Sequence, residues 1–116
     1  MKIVRVYTGD DGESHFEDVD VDLTPEGLVG ALSPLQPATG IRFRETGGDY
    51  DYDWHQAPRR QYVINLTGGV EIEVGDGSTR RLMAGDVLLA EDVTGRGHRS
   101  RAIGNAPRLS VFVTLD

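Results

Sequence analysis

At 116 residues the chain makes one domain, long enough to bury roughly two-thirds of the surface its unfolded form would expose, so it needs no covalent staples. It contains no cysteine, which excludes disulfides, thiolate metal sites and a cysteine nucleophile, and fits a reducing compartment. The net charge is −7, with 12 acidic and 4 basic side chains in residues 1–54 against 7 and 8 in residues 55–116, a balance that would repel a polyanion and so excludes nucleic acid as partner.

Met1-Lys2-Ile3-Val4-Arg5-Val6 enters directly into an apolar/polar alternation, with no secretory apolar core and no run of about 18 apolar residues anywhere in the chain. The expectation is a soluble cytoplasmic protein that contacts no membrane. Asn65-Leu66-Thr67 matches a glycosylation acceptor but falls in a predicted strand, where the match is fortuitous. Ile3–Tyr7 and the Phe16, Val19, Val21, Leu23 run flank the turn Gly9-Asp10-Asp11-Gly12 and predict a hairpin with a wide loop. Thr24-Pro25-Glu26 predicts a helix start, with Thr24 capping and Pro25 in the first turn. Gly27, Gly30 and Ser33-Pro34 restrict that helix to two turns or fewer.

From residue 41 onward the pattern is strand after strand. Ile41 and Phe43 alternate with Arg42 and Arg44. In Asp49–His55 the alternation puts Tyr50, Tyr52 and Trp54 on one face and Asp49, Asp51, Asp53 and His55 on the other. Further strands are predicted at 61–67, 70–74, 79–83, 87–90, 96–103 and 109–115, separated by turns rich in Gly, Asp, Asn and Pro. No segment offers a helical crossover, so the fold class is all-β, a small antiparallel barrel or sandwich.

Within this frame His55, Gln61 and Gly68 keep the spacing of one recurrent pattern, and Gly85-Asp86, Thr94-Gly95-Arg96-Gly97 and His98 follow a second. Together they make residues 41–116 resemble the cupin superfamily, small double-stranded β-barrels of jelly-roll type. Residues 1–40 read as an N-terminal hairpin and short helix that extend or close the barrel within a single domain, 1–116. The departures from the cupin patterns are specific. Ala57 stands at the second His place, Gln61 at the Glu place and Ala102 at the Asn place, and the Pro-x-Gly is missing.

The resemblance implies a barrel pocket in which His55, His98 and Gln61 converge, with two consequences. Without metal, the pocket binds a small polar or carboxylate-bearing molecule through His55, Gln61, Arg96, His98 and Ser100, Arg supplying bidentate hydrogen bonds. Alternatively, Fe, Mn, Zn or Ni is held by His55, His98 and Gln61, with Asp53 as the carboxylate of a two-His, one-carboxylate site, giving an oxygenase or isomerase. Trp54 and Tyr62 read as barrel packing, Arg59-Arg60 as a charged loop, His15 as a loop residue, and Glu91 and Asp92 as solvated loop carboxylates. A homodimer through a sheet edge or face is the family expectation.

Overall fold

A computed structural model describes residues 1–116. The chain is all-β. Its strands are β1 (Lys2–Thr8), β2 (Ser14–Asp20), β3 (Thr24–Pro25), β4 (Ala31–Leu32), β5 (Gly40–Thr46), β6 (Asp51–His55), β7 (Gln61–Thr67), β8 (Gly69–Glu73), β9 (Thr79–Leu82), β10 (Val87–Glu91), β11 (His98–Ile103) and β12 (Arg108–Thr114). They form a six-stranded sheet in the order β2-β1-β10-β7-β12-β5, a four-stranded sheet in the order β6-β11-β8-β9, and the small ribbon β3-β4. Both larger sheets stay open, with edge strands at each side.

The two sheets share one apolar core. Val6, Val63, Leu88 and Ala90 from the larger sheet meet Val70, Ile72, Val74 and Leu82 from the smaller in a single buried cluster. In the smaller sheet the period of two is plain: Val70 and Ile72 turn inward, while Glu71 and Glu73 stand outside opposite Arg101 and Arg99 in register. Those cross-strand pairs close as ion pairs, Glu71 with Arg101 and Arg81, and Glu73 with Arg99. The outer face of this sheet is therefore a charged ladder suited to water.

One strand pair departs from the antiparallel expectation. β1 lies parallel to β10, with Val4 opposite Leu88 and Val6 opposite Ala90. Parallel neighbours need a long connection rather than a tight turn. Here most of the chain, including three of the four strands of the smaller sheet, lies between them, so no helix is required. β1 and β2 form the expected hairpin, in register from Lys2↔Asp20 to Thr8↔Ser14, and make the N-terminal segment part of the larger sheet.

The predicted helix start is corrected. Thr24 and Pro25 belong to the ribbon strand β3, and the helical piece is a single 3₁₀ turn, Gly27–Val29, preceded by Glu26 with no side-chain cap. Two glycines in so short a span leave the helix too few residues to offset its nucleation cost. Every residue from 22 to 43 is exposed, so this arm runs along the outside of the domain. No helix in the structure is long and apolar enough to cross a membrane.

Candidate functional site

Between the sheets lies a cavity of about 740 Å³. Its depth is apolar, from Val63, Val70, Ile72, Leu82 and Leu88, and its upper wall is polar. β6 and β11 bring His55 and His98 to it as direct cross-strand partners, with ring centroids 4.5 Å apart. Gln61 opens β7 and Ser100 follows His98 by two residues in β11, so both line the same space.

The face of His55 is set by an irregularity. Between His98 and Ser100 on β11, the partner strand advances from His55 to Tyr52, three residues against two. This is a β-bulge, and it reverses the side-chain alternation at Asp53-Trp54. His55 thereby joins Tyr52 inside, the two rings stacked at 3.9 Å and 21°. The expected pairing of Asp53 with His55 is corrected for the same reason. Asp53 faces the outer charged groove with Asp51, Glu71 and Glu73, and its carboxylate accepts the Trp54 backbone N–H at 2.9 Å. Trp54 is likewise outside, beneath the guanidinium groups of Arg96 and Arg99.

Arg96 is also elsewhere than expected. It precedes β11, and its fork donates to both Glu13 carboxylate oxygens at 2.9 Å, away from the cavity wall. Arg42, Arg44, Arg59 and Arg108 line the cavity instead. Arg108 is only 7% exposed, and its Nε has no hydrogen-bond partner. Arg44 and Arg108 both lie over the Tyr50 ring, at 5.4 and 5.5 Å, and the Tyr50 hydroxyl meets Ser100 Oγ at 2.7 Å. Burial lowers the Arg108 pKa, with Arg44 pushing the same way against Tyr50; a guanidinium still keeps its proton.

Asp92 is not a solvated loop carboxylate but the most secluded carboxylate in the chain, 0% exposed. Its Oδ2 accepts from His98 Nδ1 at 2.6 Å and from Ser14 Oγ at 2.7 Å. Across the cavity wall, His55 Nδ1 meets the Asp53 carbonyl oxygen at 2.7 Å. Facing pure acceptors, both Nδ1 atoms must carry the proton. No protein group hydrogen-bonds Nε2 of either ring. Burial holds the His55 pKa below the ordinary histidine value and His98 adds to the effect, outweighing the Asp53 carbonyl.

The remaining sequence readings also move. Glu91, at the end of β10, is clamped by Arg5 Nε at 2.5 Å and Arg60 Nε at 2.6 Å. Arg60 is thus structural, while its neighbour Arg59 reaches the cavity mouth. His15 lies in β2 and bonds Asp11. Tyr62 is on the outer face, its hydroxyl donating to Gln36 Oε1 at 2.6 Å.

No protein-family model and no curated protein sequence matches the chain. The crystal structure of protein NMB1881 from Neisseria meningitidis is similar over 84% of each chain, with 15% sequence identity and a TM-score of 0.50, a likeness of fold alone.

The donors at the cavity do not suit a divalent ion. No group of three or more His, Cys, Asp or Glu side chains is arranged so that it could hold a metal ion. At His55 and His98 the one close carboxylate, Asp92, is occupied on the far side of His98, and the third donor is the neutral amide of Gln61. Four guanidiniums and no acidic residue line the same cavity, a field that opposes a second cation.

The sequence pointed to His55, Gln61, His98 and Ser100, and these do meet. It missed Arg108 and Asp92. Nothing in the alternation around Arg108 distinguishes an inward arginine, and Asp92 follows β10 as any loop residue would.

Proposed function

We propose that this is a cupin-type small-molecule binding protein whose cavity takes a carboxylate-bearing or otherwise anionic molecule. One observation carries the reading. Of the eleven arginines in the sequence, Arg5, Arg60, Arg80, Arg81, Arg96, Arg99 and Arg101 all pair with carboxylates. The other four, Arg42, Arg44, Arg59 and Arg108, have no acidic partner, and they are the four that line the cavity. In a chain of net charge −7 such segregation is not what random placement gives. Arg108 is buried and Arg44 half-buried, whereas Arg42 and Arg59 are exposed; the unpaired charge of Arg108 is unfavourable on its own, and an anionic ligand supplies the missing partner with bidentate hydrogen bonds.

The cavity's two halves define the ligand further. Its polar wall suits one or two anionic groups, and its apolar depth suits a hydrocarbon or ring body. The cupin assignment is supported by the way the His55-Gln61-Gly68 and Gly85-His98 spacings bring His55, Gln61 and His98 to one cavity. Gly68, with φ of 69°, makes the tight turn from β7 to β8.

The test is a thermal-shift and calorimetric screen of mono- and dicarboxylates after exhaustive chelation. A binding acid raises the melting temperature by mass action, chelator makes no difference, and Arg108→Met abolishes the shift. If no carboxylate or phosphorylated compound binds, or if binding is indifferent to both Arg108→Met and Arg44→Met, the reading fails.

A second copy of this chain is the proposed macromolecular partner. The outer face of β5, β12 and β7 carries Ile41, Phe43, Leu66 and Leu109, all exposed. This inverts the usual arrangement, because β5 and β12 turn arginines inward. β5 is also an unpaired edge, so face and edge together fit a two-fold, self-complementary contact.

A further inference from the structure

Anion binding accounts for the arginines but leaves the buried Asp92 unexplained. A binding pocket gains nothing from a carboxylate hidden behind a histidine, whereas a proton-transfer site does. We propose that the cavity is a catalytic site in which His98, held by Asp92, and His55 beside it exchange protons with a carbon of a carboxylate-bearing carbonyl compound. The inference rests on the anion-binding reading above.

Three features favour this chemistry over others. The imidazoles have no nucleophile to activate: the chain lacks cysteine, Ser100 Oγ is engaged with the Tyr50 hydroxyl, and Ser14 is buried against Asp92. Two imidazoles rather than one face the ligand, each with Nδ1 fixed and Nε2 free, as a pair that removes and redelivers a proton requires. The charge that would develop on the substrate is negative, and the cavity's unpaired guanidiniums suit it. The spacing is suitable as well. One inward repeat of β11, about 7 Å, separates His98 from Ser100, and Ser100 bonds the tyrosine that lies under Arg44 and Arg108.

The step balances without an oxidant. Arg44 and Arg108 hold the carboxylate. His98 Nε2 takes a proton from the carbon beside the carbonyl, the C–H electron pair becomes the C=C bond, and the carbonyl π pair moves to oxygen. That oxyanion is met by guanidinium charge and by the one hydroxyl of the Tyr50–Ser100 pair whose proton is not donated to the other. The proton then returns to the same carbon, or passes to His55 and is delivered to the opposite face or to the neighbouring atom. Return to the same face exchanges the hydrogen, delivery by His55 to the opposite face of that carbon epimerises the centre, delivery to the neighbouring atom isomerises the molecule, and each imidazole ends in the protonation state in which it began. Asp92 touches no substrate and is a positioning residue, keeping the His98 proton on Nδ1.

The experiment follows loss of the C3 proton signals of 2-oxobutanoate and 2-oxoglutarate by NMR in D₂O, with the affinity of each acid measured in parallel. The untagged full chain should accelerate exchange of at least one bound acid by about 100-fold or more over buffer. His98→Gln and Asp92→Asn should remove most of that gain with affinity held within about three-fold. In Asp92→Asn, ¹⁵N spectra should show His98 losing its fixed Nδ1–H form, which a purely structural role would not predict of a folded variant. Should either substitution at these buried positions prevent folding, His55→Gln, at a half-buried site, must still lower the exchange rate. Binding without exchange, or exchange that survives the loss of His98 or His55, overturns the proposal and leaves anion binding standing. Failure of every acid to bind overturns both.

Discussion

The Asp92 carboxylate lies 2.6 Å from His98 Nδ1 with no solvent reaching it, which fixes the tautomer of an imidazole at the cavity wall. Removing that acceptor has a structural cost apart from any chemistry. Asp92→Ala leaves two buried donors, the Ser14 hydroxyl and the His98 Nδ1–H, without a partner. At about 1–3 kcal/mol for each orphaned group, unfolding in urea should show a loss of about 2–6 kcal/mol. A Ser14→Ala variant, losing a donor but leaving the dyad paired, should lose less than half as much. Equal losses would mean the dyad contributes nothing of its own.

Arg108 should behave in the opposite sense. It is buried, and its Nε is unpaired, so without ligand it is a destabilising charge that Met can replace at similar length. Arg108→Met should therefore be unchanged in stability or more stable by up to about 2 kcal/mol, while affinity for the best carboxylate falls by at least about ten-fold. A variant that is markedly less stable and still binds would show that Arg108 serves the fold instead of the ligand.

These two residues also show where the sequence stops being legible. Strand after strand could be read from alternation and turn chemistry, because side chains in Val70–Val74 or Gln61–Thr67 follow the period of two that the sheet imposes. Pocket residues on regular strands followed: His98, Ser100 and Gln61 turn inward as their spacing indicates. His55 reaches the cavity only because the bulge at Asp53-Trp54 shifts the alternation by one, and Asp53 is lost from the site by the same shift. A bulge arises from pairing with a particular partner strand, a contact made far away in sequence. The parallel β1–β10 pairing and the burial of Asp92 are equally non-local. On β5 the alternation of Ile41 and Phe43 with Arg42 and Arg44 is as the sequence indicates, with the arginines on the cavity side and Phe43 exposed.

The pH dependence should show two separate windows. Burial and His98 lower the folded-state pKa of His55, so the unfolded chain takes up the proton first. Stability is then fully retained above the unfolded value, about 6.5, and falls as pH drops below it toward the folded value. For Glu91, burial alone would raise the pKa, but Arg5 and Arg60 outweigh it and the net shift is downward. Its contribution is present above the unfolded value of about 4.3 and is lost as pH falls through the lower folded value. Melting temperatures from pH 8 to 3 should decline in these two stages. His55→Gln should flatten the first and leave the second, and Glu91→Gln the reverse.

Gly97 controls the placement of His55 from the neighbouring strand. Its φ is 79°, a left-handed conformation that side chains rarely adopt, and a Cβ there would strike the His55 carbonyl oxygen. Gly97→Ala must either strain its own backbone or push β6 away from β11. The expected result is a loss of about 1–3 kcal/mol in stability and weakened ligand binding. Gly77→Ala is the control, since it has a similar φ of 87° but open space around the added carbon. It should lose stability without loss of binding. Equal loss of binding in both variants would remove the steric argument for Gly97.

The last prediction concerns the uncovered apolar surface. Phe43 is 74% exposed on edge strand β5, and Leu28, Val29, Leu32 and Leu35 of the arm touch solvent as well. Patches of this kind on soluble domains mark contact surfaces. A two-fold axis near β5 would set each copy's Phe43 and Ile41 against the same face of the other. Light scattering should therefore give twice the monomer mass, 12.7 kDa for one chain, at micromolar concentration. Phe43→Glu would place like charges opposite each other across that axis and should shift the protein to monomer, whereas Glu45→Gln on the same strand should not. Because Arg42 and Arg44 alternate with Phe43 along β5 and line the cavity, the monomeric variant should also bind its ligand less tightly. A wild-type protein that stays monomeric at about 100 μM, well above the range for specific association, would reject the second copy as the occupant of this face.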